Sequence, residues 1–524
     1  MTGRDFGEQR DPGGPGHGVP GFGPPPPAFD PGGRSRPPAR RPAVLIAAVV
    51  AAVLLVGGGV YAATLAGDDG RDTAGKPTAQ GSDPATPSAT PSVDKGDGDG
   101  PGGGPETYDP NAGIKAGEAP VWVVANRTEL TRSGATQHGP WRVGDAVVRA
   151  MYREVVAHAV TDGKEKWKVS LETPMCGVPQ APAAGGKLVV AVLESTSKGA
   201  HCTHLQQIDL TTGKTGWKTE VPQENPADRS LELQLAISGD TVAAARSAVM
   251  SGFSVTDGRK LFGTSKTGNC FPTGVGGGAR LLVLRGCPEP DRPGGGLQAM
   301  IEEADPLTGA PKWSHRYEKG WTIGRALSVD PLVVAAYHSG QKVWSITAFA
   351  PDGKVRSRTE PKFGVTGRCN GWGDGTNGLH YCHAAAADAD TLYLAAGKAG
   401  RELGIDTTDE VVAVDLNTGQ EKWRAAAPKG RAMWPLAVAD GKVTVYLAPA
   451  TGQAAAVATL PTAGGAPQVV LQSPAAAAGA EAVFYPFHVR VAWSEGRLFL
   501  LKGSVTSPEA KKVDHALLSF GRQS

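Results

Sequence analysis

Six cysteines are spread over the last two thirds of the chain: Cys176, Cys202, Cys270, Cys287, Cys369 and Cys382. Two of them stand among histidines, in HCTH (His201, His204) and LHYCH (His380, His383). Thiolate and imidazole are zinc ligands, but this spacing matches no established zinc motif. The stretch DKGDGDG supplies carboxylates at Asp94, Asp97 and Asp99. No run there offers the alternating oxygen set with a closing glutamate that a calcium loop requires, so it reads as solvated tether. No Gly-x-Ser-x-Gly or His-Glu-x-x-His motif is present. Three tryptophans outside any repeated phrase, Trp321, Trp372 and Trp434, have His380 and Arg431 nearby in sequence. Aromatic faces beside a cation suit a sugar or a flat ring, so these five are the candidate ligand-facing residues, against the simpler reading that they fill space. No catalytic, metal-ligating or cofactor-binding residue is assigned, and no cofactor is expected.

The elements that hold these residues begin far from the N-terminus. Residues 1–42 are Pro/Gly-rich, with GFGPPPPAFDPGG and RSRPPARRP as the densest parts, and cannot bury enough apolar surface to order themselves. Residues 43–67, AVLIAAVVAAVLLVGGGVYAATLAG, carry no charge. At ~1.5 Å rise per residue they span a ~30 Å hydrocarbon core as a helix. Arg34, Arg36, Arg40 and Arg41 precede the run, and Asp68, Asp69 and Asp72 follow it. The positive-inside rule then keeps the N-terminus in the cytoplasm and places all that follows outside. The run is too long and starts too late for a cleaved signal peptide, so a retained single-pass anchor in a bacterial cell membrane is expected. Residues 68–118 are an acidic Gly/Asp/Pro/Thr/Ser linker with four basic and ten acidic side chains. As a flexible coil it would extend roughly 40 Å.

From 119 to 524 the chain repeats one plan. A Gly-Asp or Asp-Gly turn precedes a short apolar strand, as in GDAVVRA, GKLVVAV, GDTVAAA and DTLYLAA. A further strand runs to an aspartate or its equivalent, a glycine turn follows, and the next strand carries an aromatic. Those aromatics are Trp122, Trp167, Trp217, Phe262, Trp313 and Trp423, and successive gaps of 45, 50, 45 and 51 residues separate the first five. The 110 residues from Trp313 to Trp423 hold two units, one of which keeps the Asp352-Gly353 turn but lacks the aromatic. A four-stranded unit repeating at ~40–50 residues is a propeller blade. The last unit stops at HALLSFGRQS, where an outer strand is due, and the first opens on the orphan strand PVWVVAN. Joined, they complete one blade and leave no open edge there. The expectation is an all-β propeller of eight blades, with seven as the alternative.

The repeat also selects among the fifteen pairings open to six cysteines. Each consecutive pair falls inside one unit, 26, 17 and 13 residues apart. Outside a cell such thiols oxidise, giving Cys176–Cys202, Cys270–Cys287 and Cys369–Cys382.

The phrase VVAVDLNTGQEKW, residues 411–423, resembles the pyrroloquinoline-quinone-type propeller repeat, Ala-x-Asp-x-x-Thr-Gly-x-x-x-Trp. Ala413, Asp415, Thr418, Gly419 and Trp423 match every position, and other units match in part. The resemblance implies that the aspartate and threonine fix the turn, that glycine supplies its backbone freedom, and that the aromatic packs across the junction to the next blade. Catalytic members hold a quinone over a pair of adjacent cysteines, with calcium. This chain has no adjacent cysteines. Non-catalytic members serve as assembly scaffolds or as outer domains of anchored receptors. The expected function is therefore an anchored extracytoplasmic module that binds a protein, peptide or cell-wall glycan. A sensor subunit of an envelope complex is the alternative, and a quinone-dependent dehydrogenase the more distant one. Residues 119–524 carry 43 basic and 37 acidic side chains without a basic run, which argues against nucleic acid.

Overall fold

The computed structural model describes residues 108–522, apart from 131–133, 225–227, 229, 247, 264–267, 290–295, 366–378, 380–383, 398–409, 485–488 and 508–513. The expected tail, the apolar span and most of the linker fall outside the described residues. Among those described, no helix is long and apolar enough to cross a membrane.

Each unit of the repeat folds as an antiparallel meander, and the strands form eight sheets. Blade 1 runs through Ala135–Val143, Ala146–Met151, Glu154–Ala159 and Glu165–Ser170. Blade 2 uses Met175–Gly177, Lys187–Leu193, Cys202–Asp209 and Lys214–Glu220. Blade 3 spans Gln234–Ser238 to Lys260–Phe262, and blade 4 spans Phe271–Gly276 to Pro311–Arg316. Blade 5 spans Trp321–Val329 to Val355–Thr359. Blade 6 spans Gly364–Val365 to Glu421–Ala426, and blade 7 Met433–Ala439 to Gln468–Gln472. Blade 8 is assembled from both ends of the described chain: Val489–Ser494, Arg497–Lys502 and His515–Gly521 are joined by Val121–Ala125. Val121 pairs with Phe520 and Val123 with Leu518, antiparallel. The closure expected from PVWVVAN is present, and the described residues make eight blades.

Burial follows position in the blade. Second strands such as Ala146–Met151 and Thr241–Arg246 are buried at every residue, because both faces meet a neighbouring blade. They therefore read as near-continuous apolar runs. Fourth strands such as Glu165–Ser170 are exposed at most positions and carry the lysines and glutamates.

The turns explain the recurrent Asp-x-x-Thr-Gly. Asp415 Oδ1 accepts the N–H groups of Asn417 and Thr418, both at 2.9 Å, and the Thr418 hydroxyl at 3.2 Å. The Gly419 N–H donates to the Asp415 carbonyl at 2.8 Å with φ at +71°, where glycine alone is unstrained. Asp305 repeats the arrangement with Leu307 and Thr308. These hydrogen bonds hold both carboxyls below the usual range, the backbone N–H of Thr418 acting most on Asp415 and the Thr308 hydroxyl most on Asp305.

The same glycines serve a second purpose. A Cβ placed on Gly163 in blade 1 would lie 2.6 Å from the Trp122 ring of blade 8. On Gly213 it would meet Trp167 at 2.6 Å, on Gly258 Trp217 at 2.6 Å, and on Gly309 Phe262 at 2.6 Å. Gly353 faces Trp313 and Gly464 faces Trp423 in the same way. Each aromatic thus lies flush on the turn of the following blade. Trp122, Trp217 and Trp423 also donate Nε1–H to that turn, at Val160 (3.0 Å), Val255 (2.9 Å) and Thr462 (2.9 Å). Trp313 instead donates to Glu303 Oε2 of its own blade, at 3.1 Å. Blade 5 has Ser357 where the aromatic is due, and its hydroxyl donates to the Leu416 carbonyl in blade 6 at 2.8 Å. The bond across the joint survives there without the ring.

Candidate functional site

Cys176 is joined to Cys202 in blade 2, and Cys270 to Cys287 in blade 4. Among the described residues no cysteine is free, and no group of three or more His, Cys, Asp or Glu is placed to hold a metal ion. The Cys202 thiol is consumed by its disulfide, and His204 Nδ1 lies 2.9 Å from the Thr203 hydroxyl. Cys369, Cys382, Trp372, His380 and His383 lie outside the described residues.

Trp321 and Trp434 sit on first strands, which points them toward a central channel; the structure packs both into the core instead. Trp434 is 1% exposed and lies against Tyr446, ring centroids 5.3 Å apart. Trp321 is 5% exposed, edge-on to His338, with the Arg358 guanidinium 4.5 Å above its ring centre. Neither offers an open aromatic face to a ligand. Their apolar area is worth more between blades than in water, and a cation over an indole adds to it. Leu379, between Gly364–Val365 and Thr391–Gly397 of blade 6, accepts the Ala326 N–H at 2.8 Å and donates to Val275 O at 3.2 Å. Leu379 therefore bonds to the first strands of blades 4 and 5.

Several charges are buried within the sheets, where sequence gave no warning. Arg285 and Glu302 form a two-bond pair at 3.0 and 2.6 Å with no side-chain exposure. Arg246 meets Asp228 at 3.0 Å, both side chains nearly inaccessible. Arg149 bonds Gln137 and lies beside His158. Burial, then the Arg149 charge, pushes His158 down to about 3, so it stays neutral. These groups face one another rather than solvent. They are sheet ties, and a buried arginine one residue along an apolar strand carries no periodic signal that sequence reading could catch.

Arg431 differs, because it opens on a cleft of about 230 Å³ lined also by Glu118, Gln453, Gln472 and Ser473. Its Nε donates to Ala448 O at 2.9 Å, and its Nη2 to Leu447 O at 2.8 Å and Ala454 O at 2.9 Å. Behind it Glu481 accepts the Ala455 N–H at 2.6 Å and the Ser473 hydroxyl at 2.5 Å. Burial holds the Glu481 carboxyl above its usual range. Glu118 belongs to the entry segment, pinned where the Ala119 N–H donates to Gln472 O at 2.8 Å and the Tyr108 hydroxyl donates to Ala476 O at 2.7 Å. Of the candidate ligand-facing residues, Arg431 lines an open space.

A family model described as outer membrane protein assembly factor BamB matches residues 112–268. Over those residues the chain is similar to the PQQ-like repeat family. The match spans blades 1 to 3, with their aromatics Trp167, Trp217 and Phe262. No curated protein matches the sequence. Among solved structures, BamB from Moraxella catarrhalis is 17% identical, with 76% of this chain and 100% of that one covered at a TM-score of 0.40. A quinohemoprotein alcohol dehydrogenase from Pseudomonas putida HK5 is 11% identical, with 76% of each chain covered and a TM-score of 0.40.

Proposed function

We propose that this chain is a membrane-anchored, extracytoplasmic PQQ-like ring that binds and positions a protein, peptide or glycan partner and performs no chemistry of its own. One observation carries the reading. The residues of the repeat with most chemical potential, its aspartates, threonines and indoles, are committed to turns and joints, as at Asp415 and at Trp217 on Gly258. What remains for recognition is the loop surface of a closed scaffold. The description of the matched model as an assembly factor agrees with a role in holding other proteins. The anchor rests on the uncharged run 43–67 between its arginines and aspartates. Proximity crosslinking of the anchored protein in its native membrane tests this: a reproducible envelope partner is expected. Dye reduction by the purified ring supplied with quinone and calcium would overturn the non-catalytic part.

A further inference from the structure

We propose that the cleft at Arg431 binds a small zwitterion of the α-amino acid class, its carboxylate on Arg431 and its ammonium on Glu118. This deepens the binding role proposed above and rests on it. The argument begins with a donor count. A guanidinium has five N–H groups. Three of them, on Nε and Nη2, are held by the carbonyls of Ala448, Leu447 and Ala454. The two on Nη1 form no hydrogen bond with any described residue, and the side chain lines the cleft. The three carbonyls fix the plane of the guanidinium, so little freedom is lost when an acceptor meets Nη1.

Glu118 supplies the opposite charge. Its Oε2 accepts the Lys115 N–H at 2.7 Å, which closes a turn, while Ala119 ties the next residue to Gln472. The carboxylate is therefore held at the cleft wall. Both residues line the same space, and none of their hydrogen bonds among the described residues joins one to the other. Two opposite charges facing one small cleft, each braced by backbone and neither neutralising the other, are complementary to a ligand carrying both. A simple anion would meet Glu118 and a simple cation would meet Arg431. The volume is below the ~300 Å³ at which drug-sized sites begin, which limits the occupant to a few heavy atoms.

The test titrates the full chain in detergent with L-alanine and L-glutamine, alongside alaninamide and N-acetylalanine. Saturable binding of at least one amino acid is expected with a Kd on the order of 1 mM. Each blocked analogue should bind at least about tenfold more weakly, because one charged contact is lost. Glu118→Gln, a half-buried wall residue outside any strand, should weaken the amino acid about tenfold and leave N-acetylalanine unchanged. Arg431→Lys should weaken the amino acid as well, with circular dichroism reporting whether the fold survives. No saturable binding of either amino acid, equal binding of the blocked analogues, or an unaltered Glu118→Gln variant would overturn the proposal. Envelope partners still recovered by crosslinking with Glu118→Gln would show that the scaffold reading stands independently of this cleft.

Discussion

Replacing Gly258 by alanine tests the joint between blades 2 and 3, with Gly441→Ala as its control. Both glycines have positive φ, +75° and +69°, so both substitutions cost about 1–2 kcal/mol for the left-handed backbone. They differ in surroundings. A Cβ on Gly441 meets nothing within 4 Å, whereas on Gly258 it would stand 2.6 Å from Cδ2 and Cε3 of Trp217. Relieving that overlap requires the indole to lift, which costs a further ~1–3 kcal/mol by analogy with overpacked cores and weakens the Nε1–H bond to Val255. Urea unfolding of the ring should therefore place Gly258→Ala about 2 kcal/mol below Gly441→Ala. A double-mutant cycle then isolates the contact. Trp217→Ala alone is costly, but with the indole gone the Gly258→Ala penalty should fall to that of Gly441→Ala, a coupling of about 1–3 kcal/mol. Equal penalties for the two glycines, with coupling within ~0.5 kcal/mol of zero, would refute the idea that these indoles seat on the turns.

Other consequences are quicker to check. Ser357→Ala removes the bond to Leu416 across the blade 5–6 joint and should cost about 1 kcal/mol in the same unfolding assay. Glu302→Gln removes the charge from a two-bond pair with no side-chain exposure and should cost about 3–5 kcal/mol in the same assay. Asp415 and Asp305 have folded-state pKa values below their unfolded ones, so the stability they contribute is complete above the unfolded value near 4 and is lost as pH falls through the folded one. Asp415→Asn should remove part of that acid dependence, measured as the unfolding midpoint from pH 5 down to pH 2. Glu481 has the opposite sign: its folded pKa is raised, so its contribution is complete below the unfolded value and is lost as pH rises through the folded one. Glu481→Gln should flatten that second dependence.

Much of this ring was legible because a blade cannot bury its own faces. Each unit had to repeat the same turn and joint, and a repeated phrase survives the loss of any one copy. The closing strand was readable for the same reason: Val121–Ala125 had the pattern of an outer strand and no partners of its own. The within-unit cysteine pairs of blades 2 and 4 followed from blade boundaries. The rest was hidden where the same physical task is done by different atoms. Ser357 performs with a hydroxyl what Trp217 performs with an indole, and nothing in the sequence marks the substitution. Trp321 and Trp434 were readable as first-strand residues, and of the two readings open to them the structure shows the space-filling one, a choice that depends on how neighbouring blades meet. Arg431 was singled out by its company in sequence. Glu118, which lines the same cleft, is more than 300 residues away and comes near only because the ring closes.

Ring closure is best tested by hydrogen exchange on the strand Val121–Ala125. If that strand completes blade 8, its amides laddered to His515–Phe520 should be protected as strongly as the ladder between Arg497–Leu501 and Leu517–Gly521. Deleting His515–Gly521 should abolish that protection while blades 2 to 6 keep theirs. Rapid exchange at Val121–Ala125 in the intact chain, with the other blades still protected, would mean that the ring is open at its ends and that eight joined blades is wrong.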